Sequence, residues 1–225
     1  MSPRSPIIPG AALWHGLKVG LLGGSFNPAH RGHRHISLVA LNRLGLDAVW
    51  WLVSPQNPLK STVDMAPFET RLASAVNVSR HPRLFATDIE QRLNTRYTAD
   101  TLAKLVSVMP RTRFVWLMGA DNLVQFTKWQ RWRTILSLVP IAIFDRPHYS
   151  FIGLTGKMAM RYRQNRLSEQ ALRSLAKAPP PAWTFVHCPK NPASATRIRM
   201  GLARAGLYAD GNLGRSNGCT PVKRR

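Results

Sequence analysis

The feature that most constrains this chain is a repeated junction, in which a short apolar run ends in glycine or a polar residue and hands over to a helical pattern. LKVGLLG (17–23) leads into GSFNPAHRGH, after which Ile36, Ser37, Ala40, Leu41 and Leu44 recur at helical spacing until Gly45 stops them. AVWWLVS (48–54) reads as a second buried strand, RFVWLMGAD (113–121) as a third that again ends in Gly and then Asp at a helix start, LVPIAIFDRP (138–147) as the next and WTFVHCP (183–189) as the last. Strands joined by helices through tight connections lie parallel. The pattern therefore predicts an α/β fold, a doubly wound, Rossmann-like parallel sheet with helices on both faces. Ligands of such sheets bind at the carboxyl ends of the strands, where the strand order switches.

Between these runs the reading is coarser. PQNPLKSTVDMAP (55–67) is a Pro-rich loop, followed by a helix through Phe68, Leu72, Ala75 and Val76 and a weak strand near Leu84–Ala86. Thr98 is placed as the cap of a helix with Asp100 in its first turn. Residues 157–177 read as a basic helical stretch, and SATRIRMGLARAG (194–206) as a short helix with Ser194 near its N-cap. Residues 1–16 are read as a flexible tail, 17–206 as one domain, and 207–225, Gly-rich and basic, as a disordered tail. With 44% hydrophobic residues the domain can bury a real core.

Charge and cysteine content bound the setting. A formal charge of +22 attracts polyanions without naming one, and it is spread along the chain. No run pairs basic residues with clustered aromatics, so no single-strand stacking platform and no dedicated nucleic-acid site is read. Cys188 and Cys219 form no CxxC, which suits a reducing cytoplasm. The N-terminus lacks the apolar core of a signal peptide, and the longest apolar runs are too short to span a bilayer. The expectation is a cytoplasmic protein with no membrane partner, and a homo-oligomer is left open.

The chemistry gathers at GGSFNPAHRGH (23–33). Glycines let main-chain amides approach a bound group, and a helix N-terminus adds unpaired N–H donors with partial positive charge, which together make a phosphate cradle. The stretch is neither a Walker A nor a GxGxxG loop. His30 and His33 lie three apart, so both rings can face one point if the helix starts between them, donating to phosphate oxygens. Two plainer readings stand beside this: one histidine buried and the other on the surface, or a zinc pair. The second lacks a matching ligand pair, since His187 and Cys188 are adjacent.

GSFNPAHRGH resembles the G-x-F-[DN]-P-x-H-x-G-H signature of the HxGH nucleotidyltransferases, with His30-Arg31-Gly32-His33 as the HxGH. Ser194-Ala-Thr-Arg-Ile-Arg199 resembles their second motif, I-S-x-x-x-x-R. The segments PQNPLK, RYTADTL, MGADNLVQFTKW and FDRPHY are similar to those of bacterial nicotinate-nucleotide adenylyltransferases, and the resemblance spans 17–206. It implies transfer of an adenylyl group from ATP to nicotinate mononucleotide in NAD biosynthesis, with Mg²⁺. It implies that His30, His33 and Arg199 are catalytic. Gly23, Gly24, Ser25, Phe26, Gly119, Asp121 and Ser194 would join them around ATP. Asn27, Lys60, Thr98, Trp129 and Arg146 would meet nicotinate mononucleotide. On residue chemistry alone Trp129 suits core packing as well as ring stacking, Asp121 suits an N-cap, and Arg199 a solvated helix position. Asn27 and Ala193 depart from the commoner Asp and Ile of the motifs. Two alternative functions stand beside the main one. The first is another HxGH enzyme, using nicotinamide mononucleotide, pantetheine phosphate or a cytidylyl donor. The second is a basic nucleic-acid-binding protein, whose affinity would fall steeply with salt.

Overall fold

A computed structural model describes residues 10–55, 65–145, 154–189 and 193–204. Lys60, Arg146, most of the 55–67 loop and the 207–225 tail lie outside the described residues. Six strands form one parallel sheet: β1 (Lys18–Gly24), β2 (Ala48–Val53), β3 (Leu84–Thr87), β4 (Arg113–Gly119), β5 (Ile141–Phe144) and β6 (Trp183–Val186). Their order is β3-β2-β1-β4-β5-β6. The chain winds outward from β1 to β3, then returns to β4 beside β1. The switch point, where a ligand crevice forms, is the β1/β4 pair, in which Leu22 sits opposite Leu117.

Strands β2, β5 and β6 are buried on both faces, which is why their runs read as continuously apolar, whereas the edge strand β3 leaves Phe85 exposed. Alternate residues feed two separate cores. Leu21, Trp50, Trp116 and Ile143 pack into one, against α3 (Ile89–Arg92), α4 (Thr98–Val108), α5 (Ala120–Gln125), α6 (Trp132–Leu138) and α7 (Lys157–Arg161). Leu22, Trp51, Leu117 and Phe144 pack into the other, against α1 (Arg31–Arg43), α2 (Phe68–Val78) and the 3-10 turns of Glu169–Lys177. The doubly wound expectation is met. α1 ends where the sequence placed its stop, with Gly45 at φ 61°, a left-handed geometry that favours glycine.

Four expectations are corrected. Residues 10–16, assigned to a flexible tail, are seated on the core: Ala11–Trp14 form a 3-10 turn, and the Trp14 ring stands edge-on to Trp50 at 4.8 Å and to Phe85 at 5.4 Å. The 138–147 strand is shorter, because Leu138 closes α6 and pairing with β4 starts at Ile141. The 157–177 stretch is not one helix: Leu167 N–H donates to Trp183 O and Thr184 Oγ1 to Leu167 O, so the chain leaves helical geometry to line the β6 edge. Thr98 is the first helical residue and not the cap; Tyr97 holds that position with no side-chain capping bond. A motif helix, α8 (Ala195–Arg204), follows β6.

Candidate active site

A cleft of about 740 Å³ opens at the carboxyl ends of β1 and β4. Gly23, Gly24, Ser25, Phe26, His30 and His33 form one wall, and Ser194 closes it from the start of the motif helix. Gly119 and Asp121, at the β4–α5 junction, line the same cleft, as do Thr98 and Trp129. Asn27 also reaches the wall, and its Oδ1 accepts from the Ala66 N–H at 3.3 Å. Residues drawn from both ends of the sequence thus converge on one crevice.

The two histidines are held in a way the sequence pattern explains. His30 caps α1 and its Nδ1 accepts from the Gly32 N–H at 3.1 Å; His33, three residues on, accepts from the His30 N–H through its own Nδ1 at 3.2 Å. Two imidazoles therefore do the reciprocal capping that a Ser and a Glu often do. With each Nδ1 acting as acceptor, the proton of each neutral ring sits on Nε2. The rings lie 3.9 Å apart, centroid to centroid. Phe26 backs His33 at 4.7 Å and stacks nearly parallel on Trp51 at 5.1 Å. Trp51 Nε1 donates to Ser37 Oγ, which in turn donates to the His33 carbonyl, so the rings are fixed from behind.

Glycine is required at two of these positions. A Cβ on Gly23 would lie 2.4 Å from the Trp116 indole. One on Gly32 would lie 2.9 Å from the His30 ring and 3.2 Å from the Ala193 carbonyl. Gly32 is thus where the first motif, the His30 ring and the approach to α8 meet. That approach is pinned to α1 by His35 Nε2 on Pro189 O at 2.8 Å, and by Arg43, which donates to the His187 carbonyl and pairs with Glu169 at 2.6 Å. The Ser194 carbonyl accepts the Ile198 N–H at 3.1 Å, placing Ser194 at the helix start as its motif position implied.

Arg199 is placed beside the cleft and not in its wall. Its Nη1 donates to the Asn27 carbonyl at 2.6 Å, which ties the second motif to the first. Trp129 lines the cleft and also packs edge-on against Phe126 at 5.4 Å, as its core-packing reading expected.

Two functional candidates were missed by sequence reasoning. Glu90, 6% exposed on α3, lines the cleft. Burial pushes its carboxyl up to about 7, an effect the Ser54 hydroxyl partly offsets by hydrogen bonding. Nothing local marks it, because its burial is created by α3 folding onto the β2 end. Arg71 is 2% exposed and donates to the main-chain carbonyls of Ser25, Ser54, Pro55 and Ala66. Burial pulls its proton affinity down, and Glu69 opposes this. Here a signal existed: Arg71 sits three residues after Phe68, on the inward stripe of α2.

Among the described residues no group of three His, Cys, Asp or Glu side chains could hold a metal ion. Asp121 and Glu90 bring the carboxylate chemistry of the cleft wall, which fits a metal carried mainly by nucleotide phosphates. No helix among the described residues is long and apolar enough to cross a membrane.

Comparison with known proteins agrees with this geometry. The cytidylyltransferase-like family model matches residues 21–201. A probable nicotinate-nucleotide adenylyltransferase of Parvibaculum lavamentivorans is 54% identical over 184 residues, covering 82% of this chain and 92% of that protein. One from Roseobacter denitrificans is 50% identical over 181 residues, covering 80% and 90%. A solved Plasmodium falciparum nicotinic acid mononucleotide adenylyltransferase, complexed with NaAD, shares the fold at a TM-score of 0.62 and 17% identity, covering 83% of this chain and 84% of that one. With 54% identity over 82% of its length, and with both motifs meeting in one cleft, this chain belongs to the nicotinate-nucleotide adenylyltransferases of the cytidylyltransferase-like family.

Proposed function

We propose that the chain joins ATP and nicotinate mononucleotide to give nicotinate adenine dinucleotide and pyrophosphate. An oxygen of the mononucleotide 5′-phosphate attacks the α-phosphorus of ATP, the bond from that phosphorus to the β-phosphate oxygen breaks, and pyrophosphate departs. No protein nucleophile is needed, so catalysis is positioning plus stabilisation of charge. The observation that carries this reading is the His30–His33 pair, capped through Nδ1 so that Nε2–H is the donor of each ring, at a glycine-lined helix start.

In this reading His30 and His33 steady the α-phosphate as it becomes five-coordinate. Ser194 and the α8 N-terminus take the leaving pyrophosphate. Arg199 joins them by exchanging its bond to the Asn27 carbonyl for a phosphate oxygen. Gly119 and Asp121 meet the adenosine side, and Thr98 and Trp129 the pyridine ring. Magnesium enters as part of MgATP and supplies charge neutralisation on the phosphates. The setting in this reading is the cytoplasm. The test is pyrophosphate release from ATP with nicotinate mononucleotide against nicotinamide mononucleotide. The acid should be used faster; equal or faster use of the amide overturns the choice of acceptor.

A further inference from the structure

The four hydrogen bonds of Arg71 all end on main-chain carbonyls, and these come from three separate segments. Ser25 follows β1, Ser54 and Pro55 follow β2, and Ala66 precedes α2; the distances run from 2.7 to 2.9 Å. A planar five-donor fork can serve acceptors spread in this way, and a lysine ammonium cannot. Because its partners are neutral, the guanidinium keeps its charge beneath the floor of the phosphate cradle.

The Ser25 bond bears most directly on chemistry. The Ser25–Phe26 peptide is trans, so its C=O and N–H point in opposite directions. Fixing the carbonyl on Arg71 at 2.7 Å turns the Phe26 N–H away from the guanidinium. No hydrogen bond among the described residues uses that N–H, although Phe26 is 1% exposed and lines the cleft. Phe26 has φ 47°, a left-handed geometry that a bulky residue keeps only when its surroundings enforce it. Its ring is locked between His33 and Trp51, and Arg71 locks the peptide before it.

We propose that Arg71 is a positioning residue for adenylyl transfer, holding the Ser25 carbonyl so that the Phe26 N–H stands in the cleft as a fixed donor to a substrate phosphate oxygen. The role rests on the reaction proposed above. A donor that strengthens as charge builds in the transition state acts on kcat more than on KM.

The test compares Arg71→Lys and Arg71→Ala with wild type, on protein whose folded fraction is measured by thermal melting. For folded Arg71→Lys, kcat should fall about 10- to 100-fold, with KM for ATP within about threefold of wild type. Methylguanidinium added to Arg71→Ala should restore part of the lost kcat. A kcat per folded molecule within about threefold of wild type in Arg71→Lys overturns the role. Failure of both variants to fold also overturns it, because the contribution is then to stability alone. Wild type that makes no pyrophosphate with nicotinate mononucleotide refutes the reaction instead, a result distinct from either of these.

Discussion

Gly32→Ala is the sharpest perturbation of the two-histidine device. The added Cβ lies 2.9 Å from Cε1 and Nδ1 of His30, where ordinary contact needs at least about half an ångström more. It cannot escape toward the motif helix, because the Ala193 carbonyl is 3.2 Å away on that side. The His30 ring must swing, and the Gly32 N–H to His30 Nδ1 bond of 3.1 Å opens. Loss of that cap costs about 1 kcal/mol of stability. The larger effect is catalytic: a donor displaced by a substantial part of an ångström loses roughly 10- to 100-fold in kcat. The assay is continuous pyrophosphate release at saturating ATP and nicotinate mononucleotide, with thermal melting in parallel. Gly201→Ala is the control, since its Cβ meets nothing within 4 Å on the exposed α8; it should leave kcat unchanged and raise stability by about 0.5–1 kcal/mol. A Gly32→Ala enzyme with wild-type kcat would refute the claim that His30 orientation limits the reaction.

Other outcomes follow from the same geometry. His30→Ala and His33→Ala should each lower kcat about 10²- to 10³-fold while melting within a few degrees of wild type, and a loss under about tenfold would count against the catalytic assignment. Glu90 should make stability depend on pH. Folded, its carboxyl holds the proton up to about 7, whereas its ordinary value is 4.5, so stability falls as pH rises between these values and levels off above. The shift corresponds to about 3 kcal/mol, and Glu90→Gln should flatten this part of the curve; chemical denaturation at pH 5 and pH 8 with unchanged slope in the variant would sink the assignment. Gly23→Ala should cost about 1–3 kcal/mol, because its Cβ would fall 2.4 Å from the Trp116 indole; a variant melting like wild type would show that the indole shifts freely.

Much of this was legible in the sequence for identifiable reasons. The apolar runs named the strands because a parallel sheet covered on both faces needs no polar alternation, as in AVWWLV. The histidines were legible because helical spacing began at His33 and fixed the helix start between the rings. What escaped depends on tertiary placement. Glu90 reads as a surface acid until α3 buries it, and Trp14 as part of a tail until it meets Trp50. Residues 157–177 carry helical spacing in Leu172, Leu175 and Ala176, yet pairing of Leu167 with the β6 edge wins locally. Arg71 was visible as a cation on an apolar stripe, but its four carbonyl partners come together only in the folded chain.

The reaction proposed for this cleft is transfer of the adenylyl group of ATP to nicotinate mononucleotide. Its most direct test follows label from ATP in two parallel reactions, one with the α-phosphate labelled and one with the γ-phosphate. The α-label should appear in a dinucleotide that also carries the nicotinate ring and the γ-label in pyrophosphate, with both appearing about 10²- to 10³-fold more slowly in His30→Ala. An α-label that remains in ATP, or is released as free AMP, would contradict it.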